Sequence, residues 1–192
     1  MEVWDLVDSS RNLLGKLHTR GEETLPGEYH IVVEVLTINC DGKILLTQRD
    51  EAKSHPLLWE STGGSVNAGE TSLQGAIREL NEETGLSVTA EELQFIGEME
   101  RKNYFLDSYI WKSAQNIEIS DLTLQAGEVC DAKLVTIQEL EEMNKMGEVV
   151  PPLWDRWQIY AEQLAGVLKT SEAAEGPETA DAVAERIVIL GE

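Results

Sequence analysis

The stretch GGSVNAGETSLQGAIRELNEETGL, which runs from Gly63 to Leu86, begins as a glycine-rich loop and continues as an amphipathic segment. Apolar residues recur at helical spacing over Thr71–Thr84. Gly85 follows in the position where a glycine commonly ends a helix. The stretch therefore predicts a loop followed by a helix with one face in the core.

The acidic residues of this helix lie close together on a neighbouring face. Glu79, Glu82 and Glu83 stand at i, i+3 and i+4 positions, where like charges repel one another and destabilise a helix. Gly75 lies one turn earlier on that face, and we expect its missing side chain to leave room for a ligand. Hard divalent cations prefer oxygen ligands, so the cluster indicates either a solvated helix face or a magnesium site.

Glu70 and Arg78 need a different explanation. Glu70 precedes the helix, where the helix dipole favours a negative charge. Arg78 is expected on a different face from the clustered glutamates. We therefore expect a structural ion pair between Glu70 and Arg78 that braces the loop against the helix.

The charge of the whole chain limits its partners. With 36 acidic and 15 basic residues the net charge is −21, which repels nucleic acid and anionic membrane surfaces. A small anionic substrate therefore needs cations, and Arg49, Lys53 and Arg101 are the candidate substrate-binding residues. We expect no nucleic-acid partner. No signal-peptide pattern and no stretch of about 20 apolar residues occurs, so we expect no membrane partner and a cytoplasmic location.

The rest of the chain contains both strand and helix patterns. Residues 1–20 predict two strands joined by a polar turn, and residues 29–49 predict a buried hairpin that turns at Asp41-Gly42. Further strands are expected near 93–99, 104–112 and 128–137, and helices at 137–145 and from 151 onward. We expect one domain over residues 1–168. Residues 169–192 are predicted to form an acidic tail whose apolar end docks either as a strand or as a partner segment.

The spacing of the fixed residues between Gly64 and Leu86 resembles the Nudix box at every position. The matching residues are Gly64, Glu70, Arg78, Glu79, Leu80, Glu82, Glu83, Gly85 and Leu86. The resemblance extends over about Glu2 to Ala165. It implies a Nudix-type α/β/α sandwich around a mixed β-sheet, and an enzyme that hydrolyses a diphosphate linked to another group.

The resemblance also implies roles for individual residues. Glu79, Glu82, Glu83 and the carbonyl of Gly63 are expected to bind magnesium, with manganese as the alternative ion. The general base is expected to be Glu79 or Glu128. The remaining box residues Gly64, Glu70, Arg78 and Gly85 are expected to be structural. The implied partner is a small-molecule diphosphate of the nucleoside diphosphate type, bound by a homodimer.

Two alternatives remain open at the level of sequence. The N-terminal half resembles Nudix proteins related to isopentenyl-diphosphate isomerases, and His18 and His30 loosely match isomerase metal ligands. The chain has Ser61-Thr62 where isomerases carry a cysteine, and its box is intact, so hydrolysis is favoured. The second alternative is a non-catalytic, ligand-binding regulator.

Overall fold

The computed structural model describes residues 2–160 and Leu164, and the predicted tail at 169–192 lies outside this part of the chain. The strands are β1 (Val3–Val7), β2 (Leu13–Thr19), β3 (His30–Ile38), β4 (Ile44–Arg49), β5 (Trp59–Glu60), β6 (Thr62–Ser65), β7 (Gln94–Glu100), β8 (Tyr104–Lys112) and β9 (Val129–Val135). The helices are α1 (Ser72–Thr84), α2 (Ile137–Lys145) and α3 (Pro151–Ile159).

The main sheet is mixed, as expected from the resemblance. Its strands are ordered β5-β4-β3-β8-β7, with β6 added to β3 and β9 added to β4. The β3–β8 pair is parallel and the other pairs are antiparallel. Strands β3 and β4 pair only beside their hairpin, after which β3 pairs with β6 and β4 with β9. This divergence places β6, which contains the glycines of the box, next to the central strand.

The two faces of the sheet pack against different helices because side chains alternate along a strand. Val33 and Val35 of β3 belong to an apolar cluster with α1. Leu36 and Ile38 point to the opposite face, into a second cluster that includes α2 and α3. The layers are therefore helix, sheet and helix, which confirms the α/β prediction.

A buried carboxylate joins α3 to the centre of the sheet. Glu34 of β3 is 3% exposed and accepts a 2.7 Å bond from Nε of Arg156. The hydroxyls of Ser61 and Ser108 donate to the same carboxylate at 3.0 and 2.7 Å. A buried charge is tolerated when it is paired and hydrogen-bonded, and here both conditions are met.

The N-terminal residues form the expected antiparallel hairpin of β1 and β2. It is joined to the main domain by reciprocal backbone bonds of 2.8 and 2.9 Å between Val7 and Tyr29. Arg11 in its turn makes a two-pronged ion pair with the buried Asp107 of β8, at 2.8 and 2.7 Å. The hairpin is thus held on the sheet by a polar anchor as well as by backbone pairing.

Further expectations concern membrane spans, the domain boundary, the oligomeric state and the location of the protein. Within the described part of the chain, no helix combines the length and the apolar composition that a bilayer crossing requires. The boundary near residue 168, the homodimer and the cytoplasmic location stay predictions.

The Glu34 network yields a prediction for stability. Arg156→Met removes one partner of a buried ion pair and leaves the Glu34 charge uncompensated, so we expect a loss of about 3–5 kcal/mol in the free energy of unfolding. Lys145→Met is the matched control, because Lys145 pairs with Glu141 on the surface and such pairs contribute about 1 kcal/mol or less. Urea denaturation measures both, and equal losses in the two variants would contradict this account.

Candidate active site

Helix α1 begins and ends as its sequence predicts. The Thr71 hydroxyl accepts from the Gln74 N–H at 3.3 Å, and the Gln74 side chain accepts from the Thr71 N–H at 2.8 Å. This reciprocal capping box fixes the first turn beside the glycine-rich loop. Gly85 ends the helix with a φ of +77°, a left-handed conformation that favours glycine. The acidic face of the helix therefore has a defined start and end.

Arg78 connects the loop to the acidic face. Its Nε donates to Glu70 at 2.9 Å and its Nη2 donates to the Ser65 carbonyl at 2.9 Å, which is the expected brace. Its Nη1 also donates to Glu79 at 2.7 Å and to Glu82 at 3.0 Å. The expectation that Arg78 lies on a different face from the clustered glutamates was wrong, because Glu82 stands at i+4 from Arg78 and residues at that spacing are neighbours on a helix. The long guanidinium side chain also reaches Glu79, the next residue in the chain.

The same bonds affect the ionisation of the acidic residues. Burial favours the neutral form of Glu70, but hydrogen bonds from Arg78 and Asn67 outweigh it and lower the pKa of Glu70. Burial raises the pKa of Glu79, and the contact with Arg78 opposes this rise without cancelling it. Arg78 itself is held in its charged form, because bonds to Glu70 and Glu79 outweigh its burial and raise its pKa.

Two glycines of the stretch lie in close contact with other side chains. A Cβ on Gly64 would lie 2.5 Å from the Glu79 carboxyl carbon, so a larger residue would push this flexible carboxylate away from β6. A Cβ on Gly75 would lie 2.9 Å from Cγ2 of Val66. Gly75 is buried and allows the helix to pack on the loop, so the expectation that it leaves room for a ligand was wrong.

Glu83 is the most deeply buried carboxylate of the cluster. It is 4% exposed, and its Oε2 accepts one hydrogen bond of 3.1 Å from the Gly63 N–H. Burial, followed by the nearby charges of Glu60 and Glu79, raises the pKa of Glu83 to about 8. Helix α1 thus carries a carboxyl group with little internal compensation for a negative charge.

These residues line one cavity of about 410 Å³. Its acidic lining residues are Glu2, Glu79, Glu82, Glu83 and Glu128, and its cations are Arg20, Lys53 and Arg78. Gly63 and Gly64 contribute backbone to the same cavity. The residues predicted from the box are therefore brought together with Glu128, which comes from the start of β9.

The cluster is not arranged as a closed metal cage. Within residues 2–160, no three His, Cys, Asp or Glu side chains are placed so that they could together hold a metal ion. The reason is visible in the contacts, because Arg78 holds Glu79 and Glu82 while Glu83 bonds to Gly63. The donor chemistry nevertheless fits a hard divalent cation, since five glutamates line the cavity and carboxylate oxygens are ligands that such a cation prefers.

The three predicted substrate-binding cations are separated by the fold. Lys53 lines the cavity and forms an ion pair with Glu128. Arg49 pairs with Glu60 and lines a neighbouring cavity of about 390 Å³ that also includes Gly63. Arg101 lies in the turn between β7 and β8, where it contacts Met99, and it lines neither of these two cavities.

Sequence reasoning missed Arg20, which follows β2 and lines the acidic cavity. It also misjudged two histidines. His18 and His30 stack on the Trp4 ring, with centroids 5.5 and 4.5 Å away, and neither lines the acidic cavity. Burial lowers the pKa of His30 to about 4. These histidines pack the hairpin against β3.

Comparison with known proteins supports the resemblance of the box. The family model described as NUDIX domain matches residues 28–155. An uncharacterized Nudix hydrolase of Listeria monocytogenes is 41% identical over 157 residues, covering 79% of this chain and 89% of that protein. Another, from Listeria innocua, is 40% identical over 153 residues with the same coverage.

Solved structures show the same fold at lower sequence identity. The crystal structure of DR0079 from Deinococcus radiodurans superimposes with a TM-score of 0.63 and 21% identity. The match covers 78% of this chain and 92% of that one. The architecture of sheet and helices is therefore shared across distant sequences.

The burial of Glu83 predicts an unusual effect of pH on stability. An unfolded glutamate ionises near pH 4.5, whereas folded Glu83 holds its proton up to about pH 8, so folding loses stability as pH rises between these values. Glu83→Gln has no such charge. In the presence of a chelator we expect this variant to equal the parent at pH 4.5 and to exceed it by about 1–4 kcal/mol at pH 8.5.

Urea denaturation at the two pH values measures this difference. Glu142→Gln is the control, because Glu142 lies exposed on α2, and we expect it to change the pH dependence little. A Glu83→Gln protein that is less stable than the parent at pH 8.5 would show that the Glu83 charge is compensated in the folded state.

Proposed function

The chain belongs to the NUDIX family and is a hydrolase, and from this premise we propose that it cleaves a diphosphate linkage in a small molecule with the help of a divalent cation. Diphosphate cleavage is the general activity of the family. The observation that carries the proposal is the acidic cavity, in which the box glutamates, Glu128 and three cations meet. The substrate is proposed to be of the nucleoside diphosphate type.

The cation is proposed to be magnesium, with manganese as the alternative. Glu79, Glu82, Glu83 and the Gly63 carbonyl would hold it, because these four residues line one cavity and Glu83 has little compensation for its charge. When bound, such an ion neutralises diphosphate oxygens and lowers the barrier to attack by water. Glu83 would then ionise more readily, since a nearby positive charge favours the carboxylate.

The protein's own residues are proposed to position the reacting groups. Arg78 orients Glu79 and Glu82 through the bonds described above. Glu128 is proposed as the general base that accepts a proton from the attacking water, with Glu79 as the alternative. Glu128 lines the cavity but keeps 27% of its side chain exposed, so water can reach its carboxylate.

Lys53 is proposed to serve the substrate. Its ion pair with Glu128 keeps an ammonium group in a cavity lined by five glutamates. An incoming phosphate provides a competing anion for this ammonium group. Lys53 would then hold a phosphoryl oxygen of the bound substrate. Its ion pair with Glu128 would be broken, which frees the Glu128 carboxylate to accept a proton.

Hydrolysis is preferred to isomerisation on two observations. His18 and His30, the loose counterparts of isomerase metal ligands, pack against Trp4 rather than lining the acidic cavity. The Listeria relatives, which cover most of this chain, are named as hydrolases. No comparable observation favours a regulator.

Turnover of a substrate panel tests the proposal. We expect release of phosphate-containing products from at least one nucleoside diphosphate derivative in the presence of magnesium or manganese. Isomer exchange of isopentenyl diphosphate without product release would favour the isomerase. Binding without turnover across the panel would favour the regulator.

The site assignment is tested by Glu83→Gln, with Glu142→Gln as the matched control. Loss of a metal ligand removes several kcal/mol of transition-state stabilisation, so we expect kcat to fall by about 100-fold or more for Glu83→Gln. The control is expected to retain parental activity. Near-parental turnover of Glu83→Gln at saturating magnesium would make the metal assignment wrong.

A further inference from the structure

The N-terminal hairpin lines the acidic cavity, although it lies outside the residues that the family model matches. Strands β1 and β2 and the residue after them, Arg20, precede the matched residues 28–155. Glu2, Trp4 and Arg20 nevertheless line the same cavity as the box glutamates. This segment therefore adds side chains of its own to the proposed active site.

The hairpin is bonded directly to the loop of the box. The Ala68 N–H donates to the Val3 carbonyl at 2.8 Å, and the Gly69 N–H donates to Oδ2 of Asp5 at 2.7 Å. Both donors lie in the loop that leads into α1. One contact joins two backbone groups and the other joins a backbone N–H to the Asp5 carboxylate, so the hairpin has a fixed position relative to the catalytic helix.

The far end of the hairpin is held near the cavity by packing. The Trp4 ring stacks on His18 of β2 and His30 of β3, and all three side chains are buried. Arg20 lies just after β2, and its N–H donates to the Glu2 carbonyl at 3.1 Å. The backbone that carries the Arg20 guanidinium is thus fixed at the mouth of the cavity.

Arg20 is placed so that an anion can reach it. Its side chain is 51% exposed and its Nη1 lies 2.9 Å from Oε1 of Glu2 and 4.0 Å from Oε1 of Glu128. Exposed ion pairs of this kind contribute little to stability, so the guanidinium can exchange Glu2 for another anion at low cost. Arginine also presents paired donors that match the oxygens of a phosphate.

The other cations of the cavity are more firmly engaged. Arg78 donates to Glu70, Ser65 and the glutamates of α1, so its donors are already used. Lys53 contacts Glu128, as Arg20 does at longer range. Arg20 and Lys53 therefore form a pair of cations beside the proposed general base.

We propose that Arg20 is a substrate-binding residue, whose guanidinium binds a phosphoryl oxygen of the substrate together with Lys53. The hairpin then acts as a specificity element that selects compounds with a phosphate on the Glu128 side of the cavity. This inference rests on the proposed function, because it places a phosphate-containing substrate in that cavity.

The experiment compares Arg20→Gln, Arg20→Lys and the control Lys16→Gln. Lys16 is a cation of the same hairpin that pairs with Glu28 and does not line the cavity. A charge-assisted bond to phosphate accounts for about tenfold in affinity or more, so Arg20→Gln should raise KM for a hydrolysed substrate by at least about tenfold. We expect kcat within about twofold of the parent, an intermediate KM for Arg20→Lys and no change for Lys16→Gln.

A second measurement keeps this inference separate from the proposed function. Calorimetric titration with methylenebisphosphonate and magnesium reports diphosphate binding without turnover, and Arg20→Gln should weaken it by about tenfold. Parental KM and parental bisphosphonate affinity in Arg20→Gln would overturn the inference while leaving hydrolysis intact. A loss confined to kcat would also overturn it. If the parent turned over no compound but still bound bisphosphonate through Arg20, the proposed function would fall and the inference would stand.

Discussion

The site depends on one guanidinium group. Arg78 donates to Glu70 and the Ser65 carbonyl on the loop, and to Glu79 and Glu82 on the helix. The loop and the helix are consequently held in one geometry by a single cation. The same cation offsets the repulsion among carboxylates that would otherwise destabilise the helix in a chain of net charge −21. The acidic cluster is therefore compatible with folding because its own motif supplies a counter-charge.

The secondary structure could be predicted well wherever periodicity and turn chemistry agreed. Strand β8 and helix α2 have the predicted bounds, and α1 begins one residue after the predicted start because Thr71 caps it. Strand β3 is buried, as predicted, and its side chains belong to both apolar cores. These features are local, so a single segment contains the information that determines them.

The errors concern contacts between segments. Gly75 was assigned to a ligand because a helical projection shows which face a residue occupies but not that Val66 packs there. Among the candidate cations, only Lys53 reaches the acidic cavity, and Arg20 was missed. The fold brings a cation into the cavity through contacts between strands and loops that are distant in sequence. The residues next to a lysine or arginine in the sequence do not reveal those contacts.

Two buried glutamates, Glu34 and Glu83, differ in how far the fold compensates their negative charge. Glu34 and Glu83 are 3% and 4% exposed, so burial does not distinguish them. Glu34 accepts from Arg156 and from two serine hydroxyls, and its charge is compensated within the fold. Glu83 accepts one backbone N–H and has its pKa raised to about 8 by burial, so its charge is destabilising unless a cation joins it. A fold that only had to be stable would favour an uncharged residue at that position. The uncompensated carboxyl of Glu83 on α1 is therefore best explained by the proposed binding of a metal ion. The compensated carboxyl of Glu34 is best explained by its contact with Arg156, which joins α3 to the sheet.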